Sequence, residues 1–137
     1  MIKNQGIERM TTARDKVRQE VLLDAAAGDE LPITAVDYYV KQQHSSASVS
    51  GIQDETLATI RSLAEDGLVA LGAMSGEGGR WEAWDEPVDA SMQRITDWYV
   101  PHYDDPPAWV FSSWIKITDK GRQVARELEA KSRGSLT

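Results

Sequence analysis

The stretch IQDETLATIRSLAEDGLVALG, residues 52–72, restricts the possible folds of this chain more than any other. Leu57, Ile60, Leu63 and Ala64 recur with helical spacing and form the inward stripe of an amphipathic helix. Gly67 stops that helix, because glycine enters the left-handed conformation that closes a helix end at no steric cost. LVALGAM then follows at once as an apolar strand, and SGEGG as a turn. A helix that passes through one glycine into a strand must pack on the sheet that strand joins, so the chain reads as α+β. At the start of the helix, Ser50 with Gln53 three residues later makes a capping box, and Asp54 would cap a slightly later start.

The flanking segments complete one domain. Thr12 with Asp15 marks a helix start, Val17, Val21 and Ala25 share a face, and Gly28 ends the helix. Pro32 suits the first turn of a second, shorter helix with Ile33, Val36 and Tyr39 or Val40 inward. The polar connection QQHSSASVSG leads to the third helix. Beyond the turn, PVDASMQRITDWYV predicts a helix with Val88, Met92, Ile95 and Tyr99 on one face, ended by Pro101. PHYDDPPA reads as a rigid loop. WVFSSWIKI reads as a strand with Trp109, Phe111, Ile115 and Ile117 on one side. Thr118 then caps a last helix with Val124 and Leu128 inward. The expected organisation is an extension over 1–11, a domain over 12–131 and a tail over 132–137.

Composition narrows the function classes. A chain of 137 residues, 41% apolar and 27% charged, has room for one globular domain with a real core. With no cysteine, disulfides, thiolate metal sites and cysteine nucleophiles are excluded. No apolar run approaches the ~18 residues of a membrane span. The first residues lack the apolar stretch of a signal peptide, so a cytoplasmic address is the default expectation. The net charge of −7 is concentrated in residues 21–115, which hold four Lys/Arg against sixteen Asp/Glu, while both ends are mildly basic.

The residues LATIRSLAEDGLVALG (57–72) and WIKITDKGRQVA (114–125) carry a family resemblance. The first is similar to the recognition helix and first wing strand of PadR-like and MarR-like regulators, the second to their closing strand. The order helix, helix, helix, strand, turn, strand likewise resembles the winged helix, a helix-turn-helix variant. The resemblance implies a mostly helical α+β fold: a three-helix core, a two-stranded wing with an extra helix inserted at 81–108, and a C-terminal helix. It also implies DNA as the partner, and a homodimer formed through the C-terminal helix. On that arrangement Lys41, Gln43, Gln53, Thr56, Thr59 and Arg61, with Arg80 near the wing, would contact DNA. Cations neutralise phosphates, and the amides and hydroxyls hydrogen-bond bases. Asp54 and Glu55 run against this expectation, because base contacts come mainly from the N-terminal part of a recognition helix.

The aromatic residues open a second reading. All five tryptophans lie between Trp81 and Trp114, among Tyr99, Tyr103 and Phe111. Such a density is either core for the inserted helix or a set of partner anchors. Trp81, Trp84, Trp98, Tyr103 and Trp109 are the candidate contacts. With Asp85, Glu86, Asp89, Asp104 and Asp105 beside them, they would suit a basic protein, as in an antitoxin-like or immunity-like neutraliser or an acidic decoy of DNA. Of the two, the DNA-binding transcriptional regulator is narrowly favoured, and the protein-binding module is the alternative. Catalysis has little support: SGEGGR lacks the Gly-Lys-Ser/Thr and following helix of a phosphate loop, and no nucleophile elbow is present. His102, Asp104 and Asp105 fall short of a regular metal-ligand set. The expectation is a non-enzymatic binding module without cofactor or metal.

Overall fold

A computed structural model describes residues 12–74 and 79–135. The expected extension over 1–11, most of the SGEGG turn and residues 136–137 lie outside the described residues. Described in chain order are α1 (Ala13–Gly28), β1 (Glu30–Pro32), α2 (Ile33–Gln43), α3 (Val49–Glu65), β2 (Val69–Ala73), β3 (Glu82–Ala83), α4 (Val88–Tyr99), α5 (Pro106–Trp109), β4 (Trp114–Ile117) and α6 (Asp119–Ser135). The chain is therefore α+β and mainly helical, with one antiparallel sheet in the order β1-β4-β2-β3.

The helix ends follow local chemistry. Thr12 Oγ1 accepts from Asp15 N–H at 3.0 Å and Asp15 Oδ2 accepts from Thr12 N–H at 3.2 Å, a complete capping box for α1. The third helix starts earlier than its sequence suggests. Ser48 caps it, accepting from Gly51 N–H at 3.1 Å, so Gln53 is released from capping and turns inward. Gly67 closes α3 with φ 74°, as expected of a helix that turns straight into a strand.

Strand β1 has no counterpart in the sequence reading. Glu30, Leu31 and Pro32 stand opposite Lys116, Ile115 and Trp114. Three residues are too few for an alternation to be visible, and Pro32 suits this edge because an edge strand spares its missing N–H. The long strand expected at WVFSSWIKI is also corrected. Only Trp114–Ile117 pairs, Pro106–Trp109 is a short helix, and Ser112 N–H closes a turn on the Trp109 carbonyl at 3.0 Å. Phe111, expected inward, is 69% exposed.

The core sits where α1, α2 and α3 converge on the inner sheet face. Val17, Val21, Ala25, Val36, Val40, Ile60 and Leu63 from the helices meet Leu31, Val69, Leu71, Ile115 and Ile117 from the strands. Each fully buried aliphatic side chain contributes about 1.5–3 kcal/mol. Helix α6 packs along α1 and runs to Ser135, past the boundary expected at residue 131. Its closest approach to the sheet is at Gly121, where a Cβ would lie 2.2 Å from the Leu68 carbonyl oxygen. Gly121 and Ala125 are buried on it, and Val124 and Leu128, expected inward, are half-buried. No helix among the described residues is long and apolar enough to cross a membrane.

Candidate functional site

Helix α3 is covered on three sides, by α1, by α2 and by the inserted α4. Its buried positions are Ile52, Gln53, Thr56, Thr59, Ile60 and Leu63, a broader stripe than the aliphatic residues alone define. Three expected DNA contacts, Gln53, Thr56 and Thr59, therefore lie inside and cannot touch an external ligand in this arrangement. For Thr56 the cover is α4, whereas Thr59 donates to Glu55 at 3.4 Å on the side that Arg14 of α1 grips. Tyr99 of α4 closes over Thr56, whose Oγ1 is buried beside that phenol without an aligned hydrogen bond. Further along, α3 and α4 form a groove lined by Leu57, Arg61, Asp89, Met92 and Gln93.

The charges on α3 are answered from within the chain. Arg14 of α1 grips Glu55 through two bonds of 2.7 and 2.9 Å and, together with its positive charge, holds the Glu55 carboxyl below its usual range. Arg18 pairs with Asp66 at 2.8 Å and donates to Ser62. Arg61 pairs with Glu65 at 3.3 Å and with Asp89 across the groove. Of the two acids that open the helix, only Asp54 stands exposed without an ion pair among the described residues. The other expected cations, Lys41 and Arg80, are exposed, as is Gln43.

A buried carboxylate joins the insertion to the core. Asp37 of α2 is 3% exposed. Its Oδ2 accepts from the Tyr99 hydroxyl at 2.5 Å and from the Tyr103 hydroxyl at 3.0 Å, and its Oδ1 pairs with Lys41 Nζ at 2.9 Å. Burial is the main reason that the phenols of Tyr99 and Tyr103 are both pushed up, with Asp37 adding to it, so both stay neutral donors. Lys41 also lies 5.3 Å above the Tyr103 ring. Sequence reasoning missed Asp37, although a signal was present: a lone acid within the stripe Ile33, Val36, Val40 needs partners to be buried.

The aromatic residues of the insertion divide between core and surface. Trp109 is 4% exposed, donates its Nε1–H to the Tyr103 carbonyl at 3.0 Å and packs on Tyr99 and Tyr103 at 4.8 and 5.4 Å. It is a core residue, which corrects its expected role as a contact. Trp81 is half-buried over Gly72, where a Cβ would meet its ring at 2.8 Å. Trp84 is half-buried under the Arg94 guanidinium, 5.0 Å from its ring, and Arg94 is itself held by Glu86 at 2.7 Å. Tyr103 is half-buried in the Asp37 network.

Trp98 is the exception, 47% exposed at the end of α4. Its ring stacks on His102 at 5.0 Å, and His102 Nδ1 lies 3.0 Å from the Trp98 carbonyl. Val100, two residues on and pointing to a different side of the helix end, is also exposed. Asp97, Asp104 and Asp105 surround this end of the insertion, exposed and in no ion pair among the described residues. The result is an apolar ridge rimmed by carboxylates at the negative end of a helix.

Among the described residues, no three His, Asp or Glu side chains are grouped closely enough to hold a metal ion. No protein-family model matches the chain, and neither does any curated protein or solved structure.

Proposed function

We propose that this protein is a non-enzymatic binding module of winged-helix type whose inserted segment binds a basic protein. The winged-helix reading is supported by the element order and by β4 pairing between β1 and β2, with α4 and α5 as an addition between the wing strands. The observation that carries the protein-binding reading is the Trp98 ridge. An exposed tryptophan supplies contact area and a ring face for a guanidinium, and the unpaired Asp97, Asp104 and Asp105 supply the complementary charge. The −7 net charge adds long-range attraction for a cationic partner.

DNA binding is the second reading, and it keeps one line of support. The order of helices and strands resembles that of winged-helix groove readers, and Lys41, Gln43 and Arg80 remain exposed. Against it, Gln53, Thr56 and Thr59 are buried and Arg61 is held by two carboxylates. An electrostatic interface with phosphate needs cations to spare.

The test compares wild type with Trp98→Ala and with Asp104→Asn/Asp105→Asn in binding an arginine-rich peptide, followed by calorimetry. Each variant is expected to lose about tenfold in affinity, as hot-spot and charge contacts of this kind do. Equal affinity for wild type and Trp98→Ala would reduce the ridge to general charge attraction and remove the proposal.

A further inference from the structure

A cleft of about 370 Å³ opens between the α2–α3 connection and the loop carrying Tyr103. Its walls are Ala47, Val49, Ile52 and the Tyr103 ring, and its polar groups are Lys41, His44 and Ser45. We propose that this cleft binds a small organic anion, a planar apolar body carrying one carboxylate. The proposal is independent of the partner assigned to the Trp98 ridge.

Volume and lining suit such a ligand, since small-molecule sites are mostly apolar clefts of about 300–1,000 Å³ with a few convergent polar groups. The sign of the charge follows from what surrounds the cleft. No acidic side chain lines it, in a chain that is acidic elsewhere. Asp37 spends Oδ2 on two phenols and Oδ1 on Lys41, and the Tyr103 hydroxyl takes a second ammonium donor, which leaves one of three for a ligand. The Lys41 side chain is 53% exposed, so that donor is accessible from solvent.

Helix α3 adds to the positive potential. Val49 and Ile52 of its first turn line the cleft; the Ile52 N–H bonds the Ser48 carbonyl at 2.9 Å and the Gly51 N–H bonds the Ser48 hydroxyl, which leaves the Val49 and Ser50 N–H groups without an intrahelical carbonyl. His44 contributes a ring whose Nε2 is enclosed without a hydrogen-bond partner. Glu55, whose charge senses His44, is engaged by Arg14. A lysine, an imidazole and a helix N-terminus thus converge over an apolar, partly aromatic floor. A flat hydrocarbon ring would cover Val49, Ile52 and Tyr103 while its carboxylate met Lys41.

The test is a ¹H–¹⁵N correlation titration of the whole chain with 2-naphthoate, and with 2-naphthamide as the neutral isostere. Saturable shifts confined to residues 41–52 and to Tyr103 are expected, with the amide about tenfold weaker, as loss of a charge-assisted bond costs. Lys41→Met should weaken naphthoate about tenfold. Because Lys41 also touches Asp37, a second variant is needed: Val49→Trp fills the cleft from an exposed position and should abolish binding with the thermal melt unchanged. Equal binding of acid and amide, no saturation up to about 10 mM, or undiminished binding by Val49→Trp would each overturn the site.

Discussion

Helices α3 and α4 meet along one groove and use their polar residues in opposite ways. On α3, threonines and a glutamine face the interior, and the flanking charges other than Asp54 have ion-pair partners, among them Arg14, Arg18 and Asp89 from neighbouring helices. At the end of α4, by contrast, a tryptophan faces solvent and three aspartates close in sequence have no ion pair among the described residues. The difference shows that residue type does not assign the working face of a helix. What packs against the helix does, and here the insertion brings its own helix onto the expected reader. On the proposed reading, the ligand-facing surface lies on α4, which packs against α3.

The largest effect expected from breaking this contrast is at Thr56. A charge placed there has no route to solvent, so Thr56→Lys should cost about 3 kcal/mol or more in urea unfolding. Asp54→Lys, two residues away and exposed, should stay within about 0.5 kcal/mol. If Thr56→Lys were equally harmless, α4 would not close over α3.

Next comes the joint between insertion and core. Asp37→Asn removes a charged acceptor from two phenols and an ammonium, and a loss of about 2 kcal/mol is expected. Amide exchange should then rise in α4 and α5 before it rises in α1. Uniform loss of protection would mean that the insertion is not held as a separate unit.

Trp98→Ala sharpens the comparison from the other side. Its effect on stability should remain under about 1 kcal/mol, because half of the ring is already wet. A collapse in stability would assign Trp98 to the core and leave the ridge without an anchor.

The smallest effect concerns pH. Burial, with a hydrogen bond to Asp24 at 2.7 Å, pushes the Tyr39 phenol up to about 12. A raised acid is bound more tightly in its protonated form by the fold. Its contribution is therefore fully present below about pH 10, the ordinary tyrosine range, and is lost as pH rises towards 12. Tyr99 and Tyr103 shift in the same direction and act with the same sign. Tyr39→Phe should flatten the alkaline limb of the stability profile relative to wild type, and an unchanged slope would count against the Asp24 bond.

Much of the architecture was legible because it is written in local chemistry. The Thr12 capping box, the Gly67 stop and the inward face of α4 at Met92, Ile95 and Tyr99 all stand as the sequence suggests. What failed depended on contacts between distant segments. Strand β1 exists because Lys116 to Trp114 lie beside it, and nothing in three residues announces that pairing. Gln53, Thr56 and Thr59 look like a polar reading face, yet all three are buried, Thr56 beside Tyr99 from a distant part of the chain. Trp98 and Trp109 are indistinguishable by type: Trp98 lies off the buried face of α4, and Trp109 ends the short helix α5 packed on Tyr99 and Tyr103. Asp37 was the readable clue: a carboxylate on an apolar stripe asks for donors, and two tyrosines lay downstream.

The most direct measurement is fluorescence anisotropy of a labelled mixed-sequence DNA duplex, titrated with the protein from about 200 down to about 20 mM salt. A third helix that is covered and neutralised within its own chain should leave the anisotropy flat even at the lowest salt. Binding that strengthens steeply as salt falls, and that Lys41→Ala or Arg61→Ala weakens, would put phosphate contacts back on this face and contradict the transfer of function to the insertion.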